Sequence, residues 1–308
     1  MKLGDLGYNA SIENYRSEND LDSFGVGRVV SEHRERYVVK TTNNEYDAEI
    51  IGNLRFSANK RSDFPAVGDW VAISEYDDTK VLIHSVFPRN TIIERQAVNE
   101  KTEKQIIAAN IDFAFIVQAV DRDFNLNRIE RYLTICNASR VTPVVVLTKT
   151  DLVDETRVSE IVNNIKARTN DILIIAISNE TRKGYQSLER TIQKGLSYCM
   201  LGSSGVGKST LLNNLSGRTI MKTDAISQST SKGRHTTSHR ELIILDTGGI
   251  LIDNPGMREV GIADTTDGLE NTFDRIVSLA QHCRFKDCTH TNEIGCSVIE
   301  ALEKGVLD

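Results

Sequence analysis

The pattern of apolar and polar positions changes along the chain, and the first pattern predicts a barrel. From Gly25 to Arg95, short β-branched runs alternate apolar with polar positions and are separated by turn residues such as Pro65 and Asp77-Asp78. This period of two, without helical periodicity, predicts about five strands in about 70 residues. A small antiparallel barrel of the OB type accommodates such a set of strands.

The second region, from about Lys101, alternates continuous apolar runs with amphipathic segments. The runs IDFAFIVQAV, VTPVVVLTKTD and DILIIAIS predict strands, NRIERYLTICNAS and SLERTIQKGL predict helices, and ELIILDTGGILIDNPG predicts a hairpin. Because strands that are apolar throughout are buried on both faces, we expect a parallel sheet covered by helices. From Thr265 onward the chain becomes helical and carries cysteines.

The predicted fold is therefore multidomain, as a length of 308 residues also suggests. It comprises an N-terminal OB-type β-barrel, an α/β domain and a C-terminal helical domain. The predicted boundaries are an N-terminal extension over 1–24, the barrel over 25–95, the α/β domain over 96–262 and the last domain over 263–308.

Composition and charge narrow the function classes. Charged residues make up 26% and apolar residues 39% of the chain, as in ordinary globular proteins. The N-terminus has no apolar signal region, and no segment approaches the roughly 18 apolar residues of a membrane helix, so we expect a cytoplasmic protein with no membrane partner. A net charge of −6 argues against nucleic acid as a partner unless local positive charge outweighs it.

The octapeptide GSSGVGKS is a phosphate-binding loop in its expected context, because it follows the apolar run SYCML and precedes the helical TLLNNL. Its glycines let backbone N–H groups face the β-phosphate at a helix N-terminus. Lys208 reaches the β- and γ-phosphates, and Ser209 offers its hydroxyl to Mg²⁺. The predicted nucleotide contacts are Gly202, Ser203, Ser204, Gly205, Val206, Gly207, Lys208, Ser209 and Thr210.

A second motif, Thr148-Lys149-Thr150-Asp151, closes the apolar run VVVL at the carboxyl end of a predicted parallel strand, where open α/β sheets bind ligands. The alternative is an ordinary surface loop. The motif is similar to the guanine-reading motif of GTPases, in which Asp151 would accept from guanine N1–H and the exocyclic amine while Lys149 lies against the base. Thr148 replaces the commoner asparagine and should bridge to the phosphate loop less well, which predicts weaker nucleotide affinity.

The order of these motifs is informative. Ile177-Ser178-Asn179, at the end of the next strand, resembles the GTPase motif whose backbone supports the base, and both base motifs precede the phosphate loop. In an ordinary GTPase they follow it. Together the motifs predict a circularly permuted G domain that binds GTP or GDP.

Two Asp-x-x-Gly segments compete for the sensor of Mg²⁺ and the γ-phosphate, one at Asp246 and one at Asp253. Asp-Thr-Gly-Gly suits a hairpin turn, and in G domains the sensor follows the second strand of that hairpin, so Asp253 with Gly256 is favoured. Switch I is then the run 233–237, with Thr236 and Thr237 as nucleotide contacts. The predicted magnesium ligands are Ser209, Thr237 and Asp253.

The catalytic group is not identified. Met257 follows Gly256, where many GTPases have a glutamine that orients the attacking water, and methionine cannot do so. We therefore expect slow intrinsic hydrolysis that a partner accelerates. His235 is a candidate for the missing group, although a histidine in such a loop is more often a contact residue.

The C-terminal segment offers a metal site. Cys283, Cys288, His290 and Cys296 lie within fourteen residues and provide three thiolates and one imidazole, enough for a closed, structural tetrahedral zinc site. Unmetallated buried cysteines are the alternative, and His282 is an alternative ligand.

Two runs in the barrel region could contact RNA: the basic and aromatic segment from His33 to Tyr37, and the loop from Arg55 to Phe64 that carries Lys60 and Arg61. Ordinary solvated strand faces and a flexible loop explain them equally well.

These residues together resemble the circularly permuted ribosome-assembly GTPases of the RsgA (YjeQ/YloQ) family. The likeness extends from about Gly25 to the C-terminus and includes QIIAANID, DFNLNRIERYL, GRHTT, DNPGMRE and CRFKDCTHTNEIGC. The resemblance implies an OB domain, a permuted G domain and a zinc domain that act on the small ribosomal subunit late in its maturation.

The resemblance also implies a function and partners. We expect a GTP hydrolase and assembly checkpoint that uses Mg²⁺ and one structural Zn²⁺, binds the small subunit and its rRNA, and is stimulated by that subunit. We expect a monomer in solution. The alternatives are an RNA-binding switch protein in which GTP binding matters more than hydrolysis, and an ATP-using enzyme with the same phosphate loop.

Overall fold

The computed structural model describes residues 1–33, 36–58, 60–96, 104–121, 124–169, 171–219, 240–253, 274–285, 288–291 and 293–307. The strands are β1 (Gly25–His33), β2 (Arg36–Lys40), β3 (Glu45–Ile50), β4 (Trp70–Asp77), β5 (Lys80–Val86), β6 (Ile92–Gln96), β7 (Lys104–Ala109), β8 (Phe113–Ala119), β9 (Thr142–Thr148), β10 (Leu173–Ala176), β11 (Ser197–Leu201), β12 (Arg240–Ile244) and β13 (Ile250–Asp253). The helices are α1 (Ala10–Glu18), α2 (Gly52–Ser57), α3 (Leu126–Ala138), α4 (Glu155–Arg168), α5 (Tyr185–Thr191), α6 (Lys208–Ser216), α7 (Asp274–Ala280) and α8 (Ser297–Glu303).

The first five strands close into the predicted OB-like barrel. Their order is β1-β2-β3-β5-β4, and β4 returns to pair with β1. The β3–β5 pair is parallel and the other pairs are antiparallel. Inward positions such as Val39, Ala48 and Val81 alternate with outward ones and form one apolar core, which is why the alternation in the sequence predicted the barrel.

The α/β region is the predicted parallel sheet. Its order is β10-β9-β8-β11-β13-β12, with only the β12–β13 hairpin antiparallel. Two separate clusters of buried apolar residues cover the sheet, which explains why β8, β9 and β11 are almost uniformly apolar. Among the described residues, no helix has the length and apolar character needed to span a bilayer.

The barrel and the parallel sheet share backbone hydrogen bonds. Strand β12 pairs on one side with β13 and on the other with β1, where Ser31 lies opposite Glu241 and Glu32 opposite Arg240. The result is one sheet of eleven strands that runs from β10 to the barrel.

Some elements differ from the sequence predictions. The barrel was predicted to extend to Arg95, but β6 lies outside it, because β6 pairs with β7 in a separate two-stranded sheet. Helix α5 was predicted to extend to Leu196 but ends at Thr191. Ile192 has an extended backbone, and the Gln193 N–H donates to the Tyr198 hydroxyl at 2.9 Å instead of to a helix carbonyl. Helix α4, with Asp154 as its N-cap, was not predicted.

A buried arginine connects the parts of the chain. Arg28 on β1 is 1% exposed. Its guanidinium donates to the carbonyl oxygens of Leu6, Gly68 and Asn110, at 2.6, 3.1 and 3.0 Å, and to Ser197 Oγ at 2.9 Å. These acceptors belong to the N-terminal segment, the barrel, the connection before β8 and strand β11, so one side chain holds four parts of the chain together.

The charge on Arg28 is balanced by carboxylates. Burial lowers the pKa of Arg28 to about 10, while Asp112 and Asp69 oppose that shift. Asp112 accepts from the Ser197 N–H at 2.7 Å, and Asp69 is paired with Arg89 at 2.6 Å. Arg28 therefore stays charged near neutral pH, and its charge is compensated locally.

We expect Arg28→Met to destabilise the protein by about 3–5 kcal/mol, because it leaves three carbonyl oxygens and the Ser197 hydroxyl without their donor and removes the positive charge near Asp69 and Asp112. The measurement is the midpoint of denaturant unfolding, with Arg190→Ala, an exposed arginine on α5, as the control that changes stability by less than about 0.5 kcal/mol. Equal midpoints for Arg28→Met and the wild type would show that the network does not hold the parts together.

Candidate functional site

Three loops meet at one edge of the parallel sheet. Ala119 of β8 lies opposite Thr148 of β9, and Ala176 of β10 lies opposite Leu147. Strand β11 pairs with β8 in the same direction, and the phosphate-binding loop follows it. The carboxyl ends of these parallel strands therefore lie at one edge of the sheet, although β11 ends opposite Ile116, three residues before the end of β8. The predicted base-binding loops meet the phosphate loop at this edge.

The phosphate loop has the backbone that its glycines permit. Gly202 and Gly207 have φ angles of +149° and +93°. A Cβ on Gly202 would lie 2.4 Å from the Val117 carbonyl oxygen, and one on Gly207 would lie 2.6 Å from Asn179 Nδ2. Lys208 opens helix α6, and its ammonium donates to the carbonyl oxygens of Gly202, at 2.6 Å, and Ser203. The loop therefore keeps the lysine over the place where phosphates bind.

Thr148 makes the bridge to the phosphate loop that the sequence predicted to be weak. Its hydroxyl donates to the Val206 carbonyl oxygen at 2.6 Å, and the residue is fully buried. A threonine therefore links the base-reading loop to the phosphate loop directly. The two backbones are close enough for this shorter side chain to make the bridge, and the weaker nucleotide affinity stays a prediction.

Asn179 makes a second bridge between a base loop and the phosphate loop. Its Nδ2 donates to the Gly207 carbonyl oxygen at 3.1 Å, and its Oδ1 accepts from the Tyr185 hydroxyl at 2.7 Å. Asn214 on α6 donates to both the Tyr185 hydroxyl and the Asn179 carbonyl, at 2.8 and 3.1 Å. Burial raises the pKa of Tyr185, so it remains a neutral donor. These bonds hold Asn179 in place.

Asp151 is exposed and held by the neighbouring base loop. Ser178 Oγ donates to Asp151 Oδ1 at 2.6 Å and accepts from the Thr181 N–H at 3.1 Å. The Thr150 N–H donates to the Ile177 carbonyl oxygen at 3.3 Å. The carboxylate is thus accessible to a ligand and restrained in direction.

Lys149 has a partner that the sequence did not predict. Its Nζ lies 2.8 Å from Oδ2 of Asp121, the second residue after β8. An acidic residue at the carboxyl end of an apolar strand is the signal that could have drawn attention to Asp121, and the sequence offered no comparable signal for the Tyr185–Asn214 contact.

The choice between the two sensor candidates agrees with the strand geometry. Asp246 lies in the β12–β13 turn, in which the Gly248 N–H donates to the Leu245 carbonyl oxygen at 2.8 Å. Asp253 is the last residue of β13, which runs parallel to β11, so its backbone lies at the edge that carries the phosphate loop. The proposed switch residues lie outside the described residues: His235, Thr236, Thr237, Gly256 and Met257.

The four predicted zinc ligands are brought together. Cys283 Sγ lies 3.8 Å from Cys296 Sγ and 3.6 Å from His290 Nδ1, which is 3.3 Å from Cys296 Sγ. All four ligand atoms, including Cys288 Sγ, lie within 4.8 Å of one another. A tetrahedral zinc site with bonds of about 2.3 Å to sulfur has sulfur atoms about 3.8 Å apart, so this arrangement fits the ion.

The electrostatics of the cluster favour a cation. Burial and the neighbouring sulfurs raise the pKa of the Cys288 thiol to about 11, although a backbone hydrogen bond lowers it. Burial also raises the pKa of Cys296, but the Ile299 N–H and His290 outweigh burial and bring it to about 7. Three sulfurs and one imidazole can all act as ligands only if a positive charge compensates them. His282 lies outside this cluster, with its Nδ1 2.9 Å from the Ser278 carbonyl oxygen.

Comparison with known sequences decides the family. The chain matches the model of the RsgA GTPase family over residues 86–263. The chain belongs to the RsgA GTPase family. It is 43% identical over 281 residues to the "Small ribosomal subunit biogenesis GTPase RsgA 2" of Listeria monocytogenes serotype 4b, covering 91% of this chain and 79% of the relative. It is 38% identical over 322 residues to the protein named RsgA of Opitutus terrae, covering 100% of this chain and 86% of the relative.

Solved structures agree with the fold of an RsgA GTPase. YjeQ from Thermotoga maritima superposes with a TM-score of 0.67 at 26% identity, covering 92% of each chain. YloQ, described as a circularly permuted GTPase, superposes with a TM-score of 0.65 at 23% identity, covering 92% of this chain and 90% of its own. The predicted family, fold class and GTPase activity are confirmed.

We expect His290→Asn to lower the zinc content well below the value of about one ion per chain expected for a closed Cys₃His site. His282→Asn is the matched control and should retain zinc, because His282 does not belong to the cluster. Metal analysis of both variants, purified without chelator, provides the measurement. Zinc retained by His290→Asn and lost by His282→Asn would reverse the ligand assignment.

Proposed function

We propose that this chain binds GTP with Mg²⁺ where the three loops meet, hydrolyses it, and acts in the biogenesis of the small ribosomal subunit. The observation that carries the proposal is the pair of bridges, from Thr148 and Asn179, that join both base loops to the phosphate loop. The subunit is inferred from the names of the RsgA relatives. Such a protein would act in the cytoplasm, where ribosomal subunits are assembled.

Each residue would have a defined role. Asp151, oriented by Ser178, would accept from guanine N1–H and the exocyclic amine. Lys208 would exchange its contacts with loop carbonyls for the β- and γ-phosphates. Ser209, Thr237 and Asp253 would hold Mg²⁺, which neutralises charge on the phosphates when bound. Because Met257 cannot orient water, slow turnover would be accelerated by the small subunit.

The predicted domain organisation is part of the same proposal. The barrel strands β1 to β5 support an OB domain that starts near residue 25, and the strands β8 to β13 support a G domain within 96–262. The Cys₃His cluster supports a structural zinc domain over 263–308. A closed site of this type stabilises a small domain that has little apolar core of its own.

The barrel would contribute an RNA contact through the loop after β3. Phe56 on α2 is 94% exposed, and the loop carries Arg55, Lys60 and Arg61 against Asp63. An exposed aromatic ring provides a stacking surface for an unpaired base, and adjacent cations provide phosphate contacts. This local positive charge would compensate for the acidic balance of the whole chain.

We expect GTP, and not ATP, to be hydrolysed slowly by the isolated protein and at least about tenfold faster with purified small subunits. In Asp151→Asn, the affinity for guanine nucleotides should fall by about tenfold or more, because the carboxylate that accepts from two guanine donors is replaced by an amide with a single acceptor oxygen. Xanthosine nucleotides should bind instead. Phosphate release and nucleotide titrations measure both effects.

Equal hydrolysis of ATP and GTP by the wild type would contradict the assignment and favour the ATP-using alternative. GTP-dependent subunit binding without stimulated hydrolysis would favour the switch protein in which binding alone matters. Restored affinity for a xanthosine nucleotide in Asp151→Asn is the control that the variant is folded.

We expect Phe56→Ala to weaken binding to purified small subunits by about fivefold or more, because stacking of one base contributes about 1–3 kcal/mol. Tyr76→Ala is the control, since Tyr76 is a barrel aromatic that is 52% exposed and lies on β4, outside the basic loop. Binding is measured by sedimentation at fixed salt. An equal loss in both variants would show that the effect is not specific to the loop.

A further inference from the structure

An ion pair joins Lys149 of the base-reading loop to Asp121, which has no role in the chemistry described above. Asp121 follows strand β8, and the Val120 N–H donates to the Thr148 carbonyl oxygen at 3.0 Å, which places the ends of β8 and β9 side by side. Lys149 Nζ then reaches Asp121 Oδ2 at 2.8 Å, and each side chain is only 20% exposed. The pair is thus partly shielded from solvent at the edge where the base would bind.

The backbone of Lys149 is fixed on both sides. It has a left-handed φ of +60°, an uncommon conformation for a residue other than glycine. Thr148 before it is bonded to the phosphate loop, and Asp151 after it is bonded to Ser178. The backbone that carries the Lys149 side chain is therefore held in place, and a lysine side chain without a partner has many rotamers to lose on binding.

We propose that Asp121 is a positioning residue for nucleotide binding, which holds the Lys149 ammonium so that the four-carbon stem lies against the face of the base. This inference rests on the proposed function, because it needs a guanine nucleotide at the three loops. Fixing the stem before the ligand arrives removes an ordering cost from binding.

The chain supplies a matched comparison for this pair. Lys183 and Glu155 are 2.7 Å apart, the same kind of contact near the same loops, but their side chains are 68% and 89% exposed. Exposed pairs of this kind contribute little. Glu155→Gln therefore tests whether removing a nearby negative charge is enough to change nucleotide affinity.

The test is a double-mutant cycle on the dissociation constant for GDP, measured by calorimetry with Asp121→Asn, Lys149→Met and the double variant. We expect Asp121→Asn to raise the dissociation constant by about threefold to tenfold. In the Lys149→Met background the same substitution should have no effect, since methionine keeps an apolar stem but has no charge to hold. Glu155→Gln should leave the dissociation constant unchanged.

Binding of inosine diphosphate distinguishes the contact of the Lys149 stem with the ring face from the recognition of the base edge by Asp151. It lacks the exocyclic amine that Asp151 would bind, so Asp151→Asn should matter less for it than for GDP. Asp121→Asn should raise the dissociation constants for inosine and guanosine diphosphates by the same factor, because the stem contacts the ring face. A purely structural role would instead lower the melting temperature and persist in the Lys149→Met background.

Two results would overturn the inference: an unchanged dissociation constant in Asp121→Asn, or an equal increase with and without the Lys149 ammonium. Either can occur while the wild type still prefers GDP to ADP, in which case the proposed function stands and only the role of Asp121 fails. A wild type that does not discriminate between GDP and ADP would instead refute the guanine site on which the inference depends.

Discussion

The buried guanidinium of Arg28 is the interaction on which the arrangement of the molecule depends. It bonds to the N-terminal segment, the barrel, the connection before β8 and strand β11, and β11 leads directly into the phosphate loop. A buried charge without such partners is costly, so the four segments must keep their relative positions for the charge to be tolerated. The place of the barrel against the amino end of β11, opposite the phosphate loop, follows from this requirement.

The nucleotide edge depends on the position of strands in the sheet and not on their order in the chain. Strands β8, β9, β10 and β11 are parallel, so their carboxyl ends lie at the same edge of the sheet. The loops that follow them therefore meet even though the base-reading motif precedes the phosphate loop in sequence. Thr148 and Asn179 then join these loops by hydrogen bonds. Circular permutation is compatible with this geometry, because it changes which strands the chain connects and not where the strands lie in the sheet.

Strand β12 gives the barrel a direct contact with the sensor side of the G domain. It is bonded to β13, which ends at the proposed sensor Asp253, and to β1 of the barrel. The predicted switch I run, 233–237, precedes β12 in the sequence. Both strands that border the proposed switches are thus part of one hydrogen-bonded sheet with the barrel, whose exposed Phe56 and basic loop we propose as an RNA contact.

The sequence by itself determined what depends on local patterns. Alternation predicted the barrel strands, continuous apolar runs predicted the parallel sheet, and the spacing of glycines, cysteines and histidine predicted the phosphate loop and the metal cluster. Local patterns did not determine the limits of two elements: β6 pairs with β7 outside the barrel, and α5 ends where the Gln193 N–H bonds to the Tyr198 hydroxyl.

Only the tertiary structure decided the contacts between distant residues. Asp121 and Lys149 are 28 positions apart, Thr148 and Val206 are 58 apart, and Arg28 and Ser197 are 169 apart. The motif predicted only that Thr148 would bridge to the phosphate loop, and not which atom it meets. No local period or motif encodes the other two pairs, because a polar residue on a strand or at its end is equally compatible with solvent. Which partner it meets is decided by strand order in the sheet, and strand order is a property of the packed chain.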